Sequence, residues 1–408
     1  MNVTAIISEY NPFHNGHKYN LEMSKKLCQS DYTITIMSGS FLQRGEPALF
    51  DKWSRAKMAV MNGVDLVIEL PVLYSCQPAE NFAFGAIKIL NSLRLVDKLF
   101  FGSESGNVEE LIKISHILID EPEEFKTQIK EKISQGTSYP KALGDTLKNI
   151  AGYDFAFSNN ILGIEYIKSI LSTKSHIKPI TTKRIANDYC EKQITGSISS
   201  ATAIREEIRK NGLTEKVNES VPKNSYDAIK ENVKIERGPI FLEDFSDLIL
   251  YQLRKFSIMD LNNIPYIKEG LEYRLKKQAN DAKCLDDLIN SIKTKRYTRT
   301  YIQRILCHIL LGITHEDILV SKEIDSPVYI RVLAFNKKGR ELLKELNRTS
   351  QYPLIVKTAD FESNSKFQNR MFELDVLSTD IYNIAMKNPK FKKAGEDYRT
   401  SPLFVEEA

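Results

Sequence analysis

Roughly the first two hundred residues alternate short apolar runs with helix-length segments, and this alternation limits the fold more than any other feature. Strands are predicted at 3–7, 32–37, 66–70 and 98–101, and helices at 18–27, 52–62 and 81–93. Strands separated by helices favour βαβ units and therefore a parallel sheet. Such sheets bind ligands outside the carboxyl ends of their strands, where His14, Gly39 and Gly102 fall. An α/β fold with a ligand cleft is therefore expected.

The tetrapeptide His14-Asn15-Gly16-His17 lies between the first predicted strand and the first predicted helix. A strand that turns into a helix brings backbone N–H groups and the positive end of a helix dipole to one place, which suits phosphate. The two imidazoles add donors for charge that develops on a phosphate, and Gly16 leaves room for a nucleotide. No Asp, Cys or third His accompanies them at recognisable spacing, so we expect no metal. A buried structural role for both histidines stays open.

Length and composition bound the class of protein. A chain of 408 residues exceeds one typical core, so we expect a nucleotide-binding domain at 1–212, a linker at 213–239 and a second domain at 240–408. Charged residues make up 27% and hydrophobic residues 42%, as in globular proteins that do not enter membranes. No apolar run approaches a membrane span and no signal-peptide pattern is present, so a cytoplasmic location is expected. Five separated cysteines without a C-x-x-C pair argue against a disulfide framework or zinc ribbon.

Beyond residue 212 the pattern changes. Residues 213–239 are polar and contain Pro222 and Pro239, which is typical of a connecting loop. Helices are then predicted at 242–256, 270–292, 300–311 and 337–346, and strands at 328–335 and 354–357. The C-terminal half is therefore expected to be mostly helical with a small β element.

A second phosphate-binding element is predicted where Ser199 and Ser200 precede a helical stretch at 201–210, with Gly212 as its stop. Free N–H groups and hydroxyls at a helix start bind anions, and Arg205 adds a permanent charge. By itself, a serine pair before a helix is usually only a cap.

Six blocks, at 8–17, 38–47, 64–71, 101–104, 159–166 and 200–205, together resemble the HIGH-motif nucleotidyltransferase superfamily. The closer resemblance is to the bacterial tRNA(Met) cytidine acetate ligases, and it extends over most of the chain. It implies a Rossmann-like nucleotidyltransferase domain with a parallel sheet, followed by the mostly helical C-terminal domain. It also implies ATP as a substrate, with Mg²⁺ accompanying it.

The resemblance implies that His14 and His17 are catalytic and bracket the phosphates of ATP. The 200–205 segment would hold the leaving phosphates; Ala201 replaces a serine of the family pattern, so Thr202 and Arg205 are the firmer expectations there. Which of two neighbouring asparagines contacts the nucleotide stays open. The ATP-binding residues expected are Ile7, Ser8, Glu9, Tyr10, Asn11, Pro12, Phe13, His14, Asn15, Gly16, His17, Gly102, Asn159, Asn160, Arg184, Ser200, Thr202 and Arg205.

The reaction implied by the resemblance has two steps. Acetate attacks the α-phosphorus of ATP to give acetyl-adenylate and pyrophosphate, and a carboxylate nucleophile needs no general base. The exocyclic amine of the wobble cytidine of elongator tRNA(Met) then attacks the acetyl carbonyl, which gives N4-acetylcytidine. The sequence assigns no group that assists this second step. Gln43 and Arg44, after the second predicted strand, are alternative contacts for the acceptor.

A basic run at 292–304 holds five cationic residues, two tyrosines and no acid. Lys and Arg neutralise nucleic-acid phosphates, and tyrosine rings stack on unpaired bases. A solvated helix face is the commoner interpretation of such a run, but the resemblance favours tRNA. The tRNA-binding residues expected are Lys293, Lys295, Arg296, Arg299 and Arg304.

Three other functions stay open at the level of sequence. One is an adenylyltransferase of the same superfamily that acts on a phosphate-bearing acceptor, although such enzymes are usually much shorter. Another is an acetate ligase of the citrate lyase type, which transfers acetyl to a thiol on a protein. The third is a tRNA- or ribosome-associated binding protein whose nucleotide site is only regulatory.

Overall fold

An eight-stranded sheet runs through the chain in the computed structural model, which describes residues 1–137, 139–152, 158–184, 194 and 196–406. The strands are β1 (Val3–Ser8), β2 (Tyr32–Ser38), β3 (Leu66–Leu70), β4 (Lys98–Ser103), β5 (Lys178–Lys183), β6 (Ile330–Phe335), β7 (Leu354–Ile355) and β8 (Leu403–Phe404). Their order is β5-β4-β1-β2-β3-β6-β7, with β8 also paired to β6. The first five strands are mutually parallel, which confirms the predicted parallel sheet.

The C-terminal half contributes to this same sheet. Strand β6, predicted at 328–335, pairs antiparallel with β3, while β7 and β8 run parallel to β6. The small β element therefore extends the N-terminal sheet at its β3 edge.

Helices of the N-terminal half cover the sheet. They are α1 (Asn15–Cys28), α2 (Lys52–Met61), α3 (Val72–Ser75), α4 (Ala79–Leu93), α5 (Val108–Asp120), α6 (Glu123–Ser134), α7 (Tyr139–Ala151), α8 (Ser158–Ser172) and α9 (Ala201–Asn211). The helices predicted at 18–27, 52–62, 81–93 and 201–210 are confirmed with small changes at their ends. The change at α1 matters most, because the helix begins at Asn15 and the His-Asn-Gly-His turn is its first turn.

Helices also dominate the C-terminal half. They are α10 (Glu215–Ser220), α11 (Lys223–Lys234), α12 (Ser246–Lys255), α13 (Ile258–Asn262), α14 (Leu271–Asp281), α15 (Leu285–Ile292), α16 (Arg299–Leu311), α17 (His315–Ser321), α18 (Lys337–Thr349), α19 (Lys366–Ile384) and α20 (Glu396–Arg399). Short 3₁₀ turns occur at Leu242–Phe245, Thr358–Asp360 and Pro389–Phe391. The prediction of a mostly helical half with a small β element is confirmed.

The prediction of a connecting loop at 213–239 was wrong. This segment forms α10 and α11 and buries Val217, Val221 and Ile229 in the core on the α2 side of the sheet. Pro222 is the N-cap residue of α11, where a proline removes no helical hydrogen bond. Apolar residues are few among the polar ones in this segment, so its helical period is hard to recognise in the sequence. Tertiary packing stabilises the helices.

The helix predicted at 270–292 is also wrong in one respect, because it is two helices, α14 and α15. Arg254 on α12 donates hydrogen bonds to the carbonyls of Ala279 and Ala282, at 2.9 and 3.0 Å. The N–H of Leu285 donates to Ser246 Oγ at 2.9 Å. Contacts from α12 thus hold a break that no glycine or proline signals in the sequence.

The sheet is buried on both faces, as expected for a parallel sheet between helical layers. On β3, Leu66 and Ile68 enter one core, whereas Val67 enters the core that α1, α2, α9 and α11 cover. Successive side chains of this strand therefore pack into two different cores, one on each face of the sheet. Burial of both faces leaves the strand ends as the open part of the sheet, and the candidate site lies there.

None of the helices in the described ranges is both long and apolar enough to span a membrane. Cys28, Cys76, Cys284 and Cys307 are free thiols. Cys190 lies outside the described residues.

Candidate active site

A cavity of about 190 Å³ opens at the carboxyl ends of β1, β4 and β5. Most of its lining comes from five segments that are distant in sequence: the β1–α1 turn, the end of β4, the start of α8, the end of β5 and the start of α9. Among the expected ATP-binding residues, those that line the cavity are Ile7, Ser8, Glu9, Tyr10, Asn11, His14, Gly16, His17, Gly102, Asn159, Arg184, Ser200 and Arg205. The two predicted phosphate-binding elements thus share one cavity.

The two histidines are fixed by the backbone of their own turn. His14 is the N-cap residue of α1, and its Nδ1 accepts the Gly16 N–H at 3.0 Å. His17 Nδ1 accepts the His14 N–H at 3.3 Å. The two rings stack with centroids 3.7 Å apart and 30° between their planes. Reciprocal capping therefore orders both rings before any ligand arrives.

These bonds also decide where the histidine protons lie. Since each Nδ1 accepts an N–H, the proton of a neutral ring is on Nε2, which makes that atom a donor. Burial lowers the pKa of His14 to about 3, helped by the charges of Arg184 and Arg205. Burial also holds the pKa of His17 well below its usual value, with further contributions from His14 and Arg184. Both rings are neutral N–H donors at pH 7.

Gly16 is required by the position of His14. A Cβ added at Gly16 would lie 2.9 Å from His14 Cε1 and 3.0 Å from His14 Nδ1. The expected need for glycine between the histidines therefore has a specific cause, which is contact with the first histidine ring.

Helix α9 begins at the cavity. Ser199, Ser200 and Ala201 line it, and Ser200 Oγ caps the helix by accepting the Ala203 N–H at 3.1 Å. Arg205 donates to the Asn11 carbonyl at 3.0 Å and pairs with Glu46 at 2.8 Å. The helix start and its arginine are thereby tied to the β1–α1 turn, so their positive charge adds to that of the α1 start.

The opposite wall comes from β4, β5 and α8. Arg184 donates to Asn159 Oδ1 at 3.2 Å, and Glu104 accepts from Asn159 Nδ2 at 2.7 Å. A Cβ at Gly102 would meet Arg184 Cγ at 3.0 Å, so the glycine lets the arginine stem lie across the strand end. Asn160 is buried instead, and its Oδ1 accepts the Glu104 N–H at 3.0 Å. Asn159 is therefore the asparagine that faces the cavity.

Five of the expected ATP-binding residues do not line the cavity: Pro12, Phe13, Asn15, Asn160 and Thr202. Phe13 is buried against Tyr10 and His17, with ring centroids 4.8 and 5.7 Å apart. Asn15 donates to the carbonyls of Ser197 and Glu219, each at 2.8 Å, which joins the turn to the segments beside α9. Thr202 Oγ1 is buried, with no hydrogen-bond partner among the described residues.

Sequence reasoning missed several lining residues. They are Ile6, Tyr19, Asn20, Phe82, Phe100, Phe101, Leu162, Tyr166, Thr182, Lys183 and Ile198, whereas Ser199 and Ala201 belong to the predicted phosphate-binding helix start. Phe100 and Phe101 lie in β4 just before Gly102, so their position in the sequence could have indicated them. Tyr166 ends the block at 159–166, but only the packing of α8 shows that it faces the cavity. Nothing in the sequence signalled Lys183, because only the β4–β5 pairing brings it there.

The loop after β2 adds a further contact to the cavity. Gln43 lines the cavity, and its N–H donates to Glu9 Oε1 at 2.9 Å. The buried Arg55 donates to the carbonyls of Glu9, at 2.6 Å, and Gly39, which fixes this loop against the β1–α1 turn. Gly39 itself is not among the lining residues and packs against Glu69.

The basic run at 292–304 lies next to this loop. Gly45 packs directly against the Arg304 backbone and has no room for a Cβ. Within the run, Arg299 pairs with Asp286 at 2.7 Å, and Arg296 pairs with Glu269. The rings of Tyr297 and Tyr301 have centroids 5.6 Å apart. Lys293 and Lys295 are exposed, whereas Arg304 is half-buried.

The cavity combines neutral N–H donors, two helix starts and two arginines, which suits a polyphosphate. Within the described residues, no three His, Cys, Asp or Glu side chains cluster in a way that would hold a metal ion.

Comparison with known proteins gives matches along nearly the whole chain. Residues 1–397 match the HIGH nucleotidyl transferase family. The chain is 45% identical to a tRNA(Met) cytidine acetate ligase of Acetivibrio thermocellus, over 99% of this chain and 100% of that protein. It is 44% identical to a tRNA(Met) cytidine acetate ligase of Caldanaerobacter subterraneus subsp. tengcongensis, over 95% and 96% of the two chains.

Solved structures agree with these sequence matches. The crystal structure of apo Thermotoga maritima TmcAL superposes with a TM-score of 0.94 at 33% identity, and the match covers 100% of both chains. The structure of the same protein bound with alpha-thio ATP gives a TM-score of 0.91, again over 100% of both chains.

Proposed function

This chain belongs to the HIGH nucleotidyl transferase family, and from that premise we propose that it is an ATP-dependent tRNA(Met) cytidine acetate ligase. The observation that carries the proposal is the match to ligases of this kind over both halves of the chain, together with the meeting of the β1–α1 turn and the α9 start in one cavity. A smaller adenylyltransferase would leave the C-terminal half without a role. A citrate lyase-type ligase or a regulatory binding protein would not account for the 43–45% identity to tRNA(Met) cytidine acetate ligases.

ATP binds in the cavity with its phosphates between the two helix starts. His14 and His17 donate from Nε2 to phosphate oxygens, and Arg205 and Arg184 supply charge on either side. Asn159 and Gly102 contact the nucleotide from the β4 side. The five expected residues that do not line the cavity support its walls from behind, and Thr202 in addition carries a buried hydroxyl at the α9 start.

Acetate then attacks the α-phosphorus in line with the departing pyrophosphate. Holding both reactants in one small site and stabilising the developing phosphate charge supply most of the acceleration. We propose that Mg²⁺ accompanies ATP, held by phosphate oxygens and water, because the described residues offer no dedicated ligand set.

The wobble cytidine of elongator tRNA(Met) enters next, and its exocyclic amine displaces AMP from acetyl-adenylate. The basic run is proposed to hold the tRNA, through Lys293, Lys295, Arg296, Arg299 and Arg304. Its contact with the Gln43-bearing loop supports this, since a base presented from the run has a short route to the cavity. We propose a nucleotide-binding part at 1–212 and a tRNA-binding part at 240–408, although the latter also contributes β6, β7 and β8 to the shared sheet. A cytoplasmic location fits a tRNA substrate.

The test is a two-stage assay with the purified full-length chain. Exchange of labelled pyrophosphate into ATP is measured with and without acetate, and total tRNA is then added with labelled acetate. We expect exchange to depend on acetate and label to appear as N4-acetylcytidine in tRNA(Met). Exchange that ignores acetate would favour an adenylyltransferase. Acetate-dependent exchange with no label in tRNA would favour another acceptor, and ATP binding without exchange would favour a regulatory site.

A further inference from the structure

The second step of the proposed reaction has a proton to remove. The lone pair of a cytosine exocyclic amine is delocalised into the ring, so the amine is a weak nucleophile. As its nitrogen bonds to the acetyl carbon it becomes acidic, and a positioned base accelerates such a step by roughly 10²–10⁴-fold. The base must lie within reach of the acetyl group, and therefore in the cavity.

Neither histidine of the turn can be that base. Each uses its Nδ1 lone pair to accept a backbone N–H, from Gly16 or from His14. The Nε2 atom of each neutral ring therefore carries the proton, and a nitrogen that donates cannot also accept. The histidines suit the phosphates and leave the proton of the second step without an acceptor.

Other polar side chains of the cavity are also excluded as bases. Burial raises the pKa of Tyr10 to about 12, so its hydroxyl stays protonated at neutral pH. Burial also raises the pKa of Tyr166. Charged lysine and arginine side chains are donors without an acceptor lone pair. Among the described residues that line the cavity, Glu9 is the only one with a carboxylate.

Glu9 lies in the cavity and is fixed there by hydrogen bonds, as a general base requires. It follows β1 directly, at the carboxyl end of the strand, and it lines the same wall as the histidine turn. Its Oε1 accepts the Gln43 N–H at 2.9 Å, and its carbonyl is held by Arg55 at 2.6 Å. Its carboxylate would repel ATP phosphates, so the expected ATP contact of Glu9 is assigned to its backbone, and the side chain is left without a role in the first step.

The charged groups that surround Glu9 come from several elements. Arg205 on α9 and Arg44 on the loop after β2 favour its ionised form, while Glu46 on that loop opposes it. Tyr166 on α8 and Arg55 on α2 also face it. Burial is the largest influence and raises the pKa of Glu9 above 4.5, which strengthens it as a base while it is ionised.

We propose that Glu9 is the general base of acetyl transfer, an inference that rests on the proposed function. As the N4 lone pair forms a bond to the acetyl carbon, the bond from that carbon to the adenylate oxygen breaks. AMP leaves with that electron pair. The N4 proton passes to the Glu9 carboxylate, which later releases it to water.

The test separates the two steps in Glu9→Gln, a variant that keeps an oxygen to accept the Gln43 N–H. Acetate-dependent pyrophosphate exchange reports the first step. For the second, enzyme with labelled acetate and ATP is mixed with tRNA(Met), and single-turnover transfer is timed. We expect exchange within about threefold of wild type and transfer slowed by roughly 100-fold or more.

Glu165→Gln is the matched control, since this half-buried carboxylate on α8 pairs with Lys168 and does not line the cavity. It should leave both rates near wild type. The wild-type transfer rate should fall with decreasing pH as Glu9 becomes protonated, and this acid limb should be absent from the residual rate of Glu9→Gln. Glu9→Asp, which keeps a carboxylate, should recover part of the transfer rate and the acid limb.

Equal losses of exchange and transfer in Glu9→Gln would overturn the proposal, because they would indicate a role in the first step or in folding. Wild-type transfer rates in Glu9→Gln would overturn it too, with the AMP phosphate as the remaining proton acceptor. Absence of acetate-dependent exchange in the wild type itself would instead overturn the proposed function, and this inference with it.

Discussion

The cavity and the basic run hold their polar groups in opposite ways. In the cavity, His14 and His17 are buried and bonded to the backbone of their own turn. In the basic run, Arg296 is exposed and Arg299 is partly exposed, and both pair with carboxylates of neighbouring segments. Buried donors need no reorganisation when charge develops, whereas exposed charges are screened and already partly neutralised. The difference teaches that the chemistry proposed for the cavity depends on a few buried atoms, whereas the tRNA affinity proposed for the basic run depends on many exposed charges.

The largest expected effect is that of His17→Ala. It removes one Nε2–H donor and the Nδ1 acceptor that caps His14, so acetate-dependent exchange should fall by roughly 10²–10³-fold or more. Binding of tRNA, measured by filter retention, should stay within about twofold. His116→Ala, at an exposed position on α5, is the control and should change neither. A comparable loss of tRNA binding in His17→Ala would break the division between the two regions.

Neutralising the basic run should give the reverse pattern. With Lys295, Arg296 and Arg299 changed to Gln, tRNA affinity should fall by on the order of tenfold or more. The slope of log affinity against log salt concentration should become shallower by up to about 2–3. Exchange of pyrophosphate should be unchanged. Lys126, Lys130 and Lys132 on α6 serve as a control triple of equal charge. Equal losses of affinity in the two triples would mean that the run has no special role.

Acid should destabilise the fold through the buried histidines. His14 has a pKa of about 3 in the folded chain and about 6.5 when unfolded, so below pH 6.5 the unfolded state takes up the proton first. Lowering the pH from 7.5 to 5 should therefore reduce the free energy of unfolding by about 2 kcal/mol through this histidine. His14→Asn should lack that component, and the difference between the two urea-unfolding curves isolates it from other titrating groups. A difference that does not change with pH would contradict the buried, neutral state of His14.

Gly16→Ala should separate activity from stability. The added Cβ would lie 2.9 Å from His14 Cε1, so the ring must move and its bond to the Gly16 N–H weakens. Alanine suits a helix at this position, so the unfolding free energy should change by less than about 1 kcal/mol. Pyrophosphate exchange should fall about tenfold, because small displacements of catalytic groups are costly. Unchanged exchange with an unchanged melting temperature would show that the ring position tolerates the methyl group.

The smallest effect concerns the carboxylate partners in the basic run. Glu269→Gln removes the partner of Arg296 and should raise tRNA affinity about two- to threefold, in line with the modest energy of an exposed ion pair. Asp286→Asn should act similarly through Arg299. Weaker binding in both variants would indicate that these pairs orient the arginines rather than compete with tRNA.

One wall of the cavity could be predicted because its residues are contiguous in sequence. The β1–α1 turn carries eight lining residues within 7–17, and the strand before it and the helix after it are both periodic. The α9 start was predicted by its cap and by Arg205. By contrast, the helices at 213–239 and the break before α15 were missed, because each is stabilised by contacts with distant elements.

The sequence by itself determined the parallel sheet, the order of its first four strands along the chain and the two phosphate-binding elements. Local periodicity and capping residues carry that information. Only the tertiary structure decided that Asn159 rather than Asn160 faces the cavity and that both histidine protons lie on Nε2. It also decided that Glu9 is the one carboxylate among the described residues that line the cavity. These outcomes depend on which side chains the pairing of β4 with β5 and the packing of α8 and α9 bring together, and on burial, which no short stretch of sequence encodes.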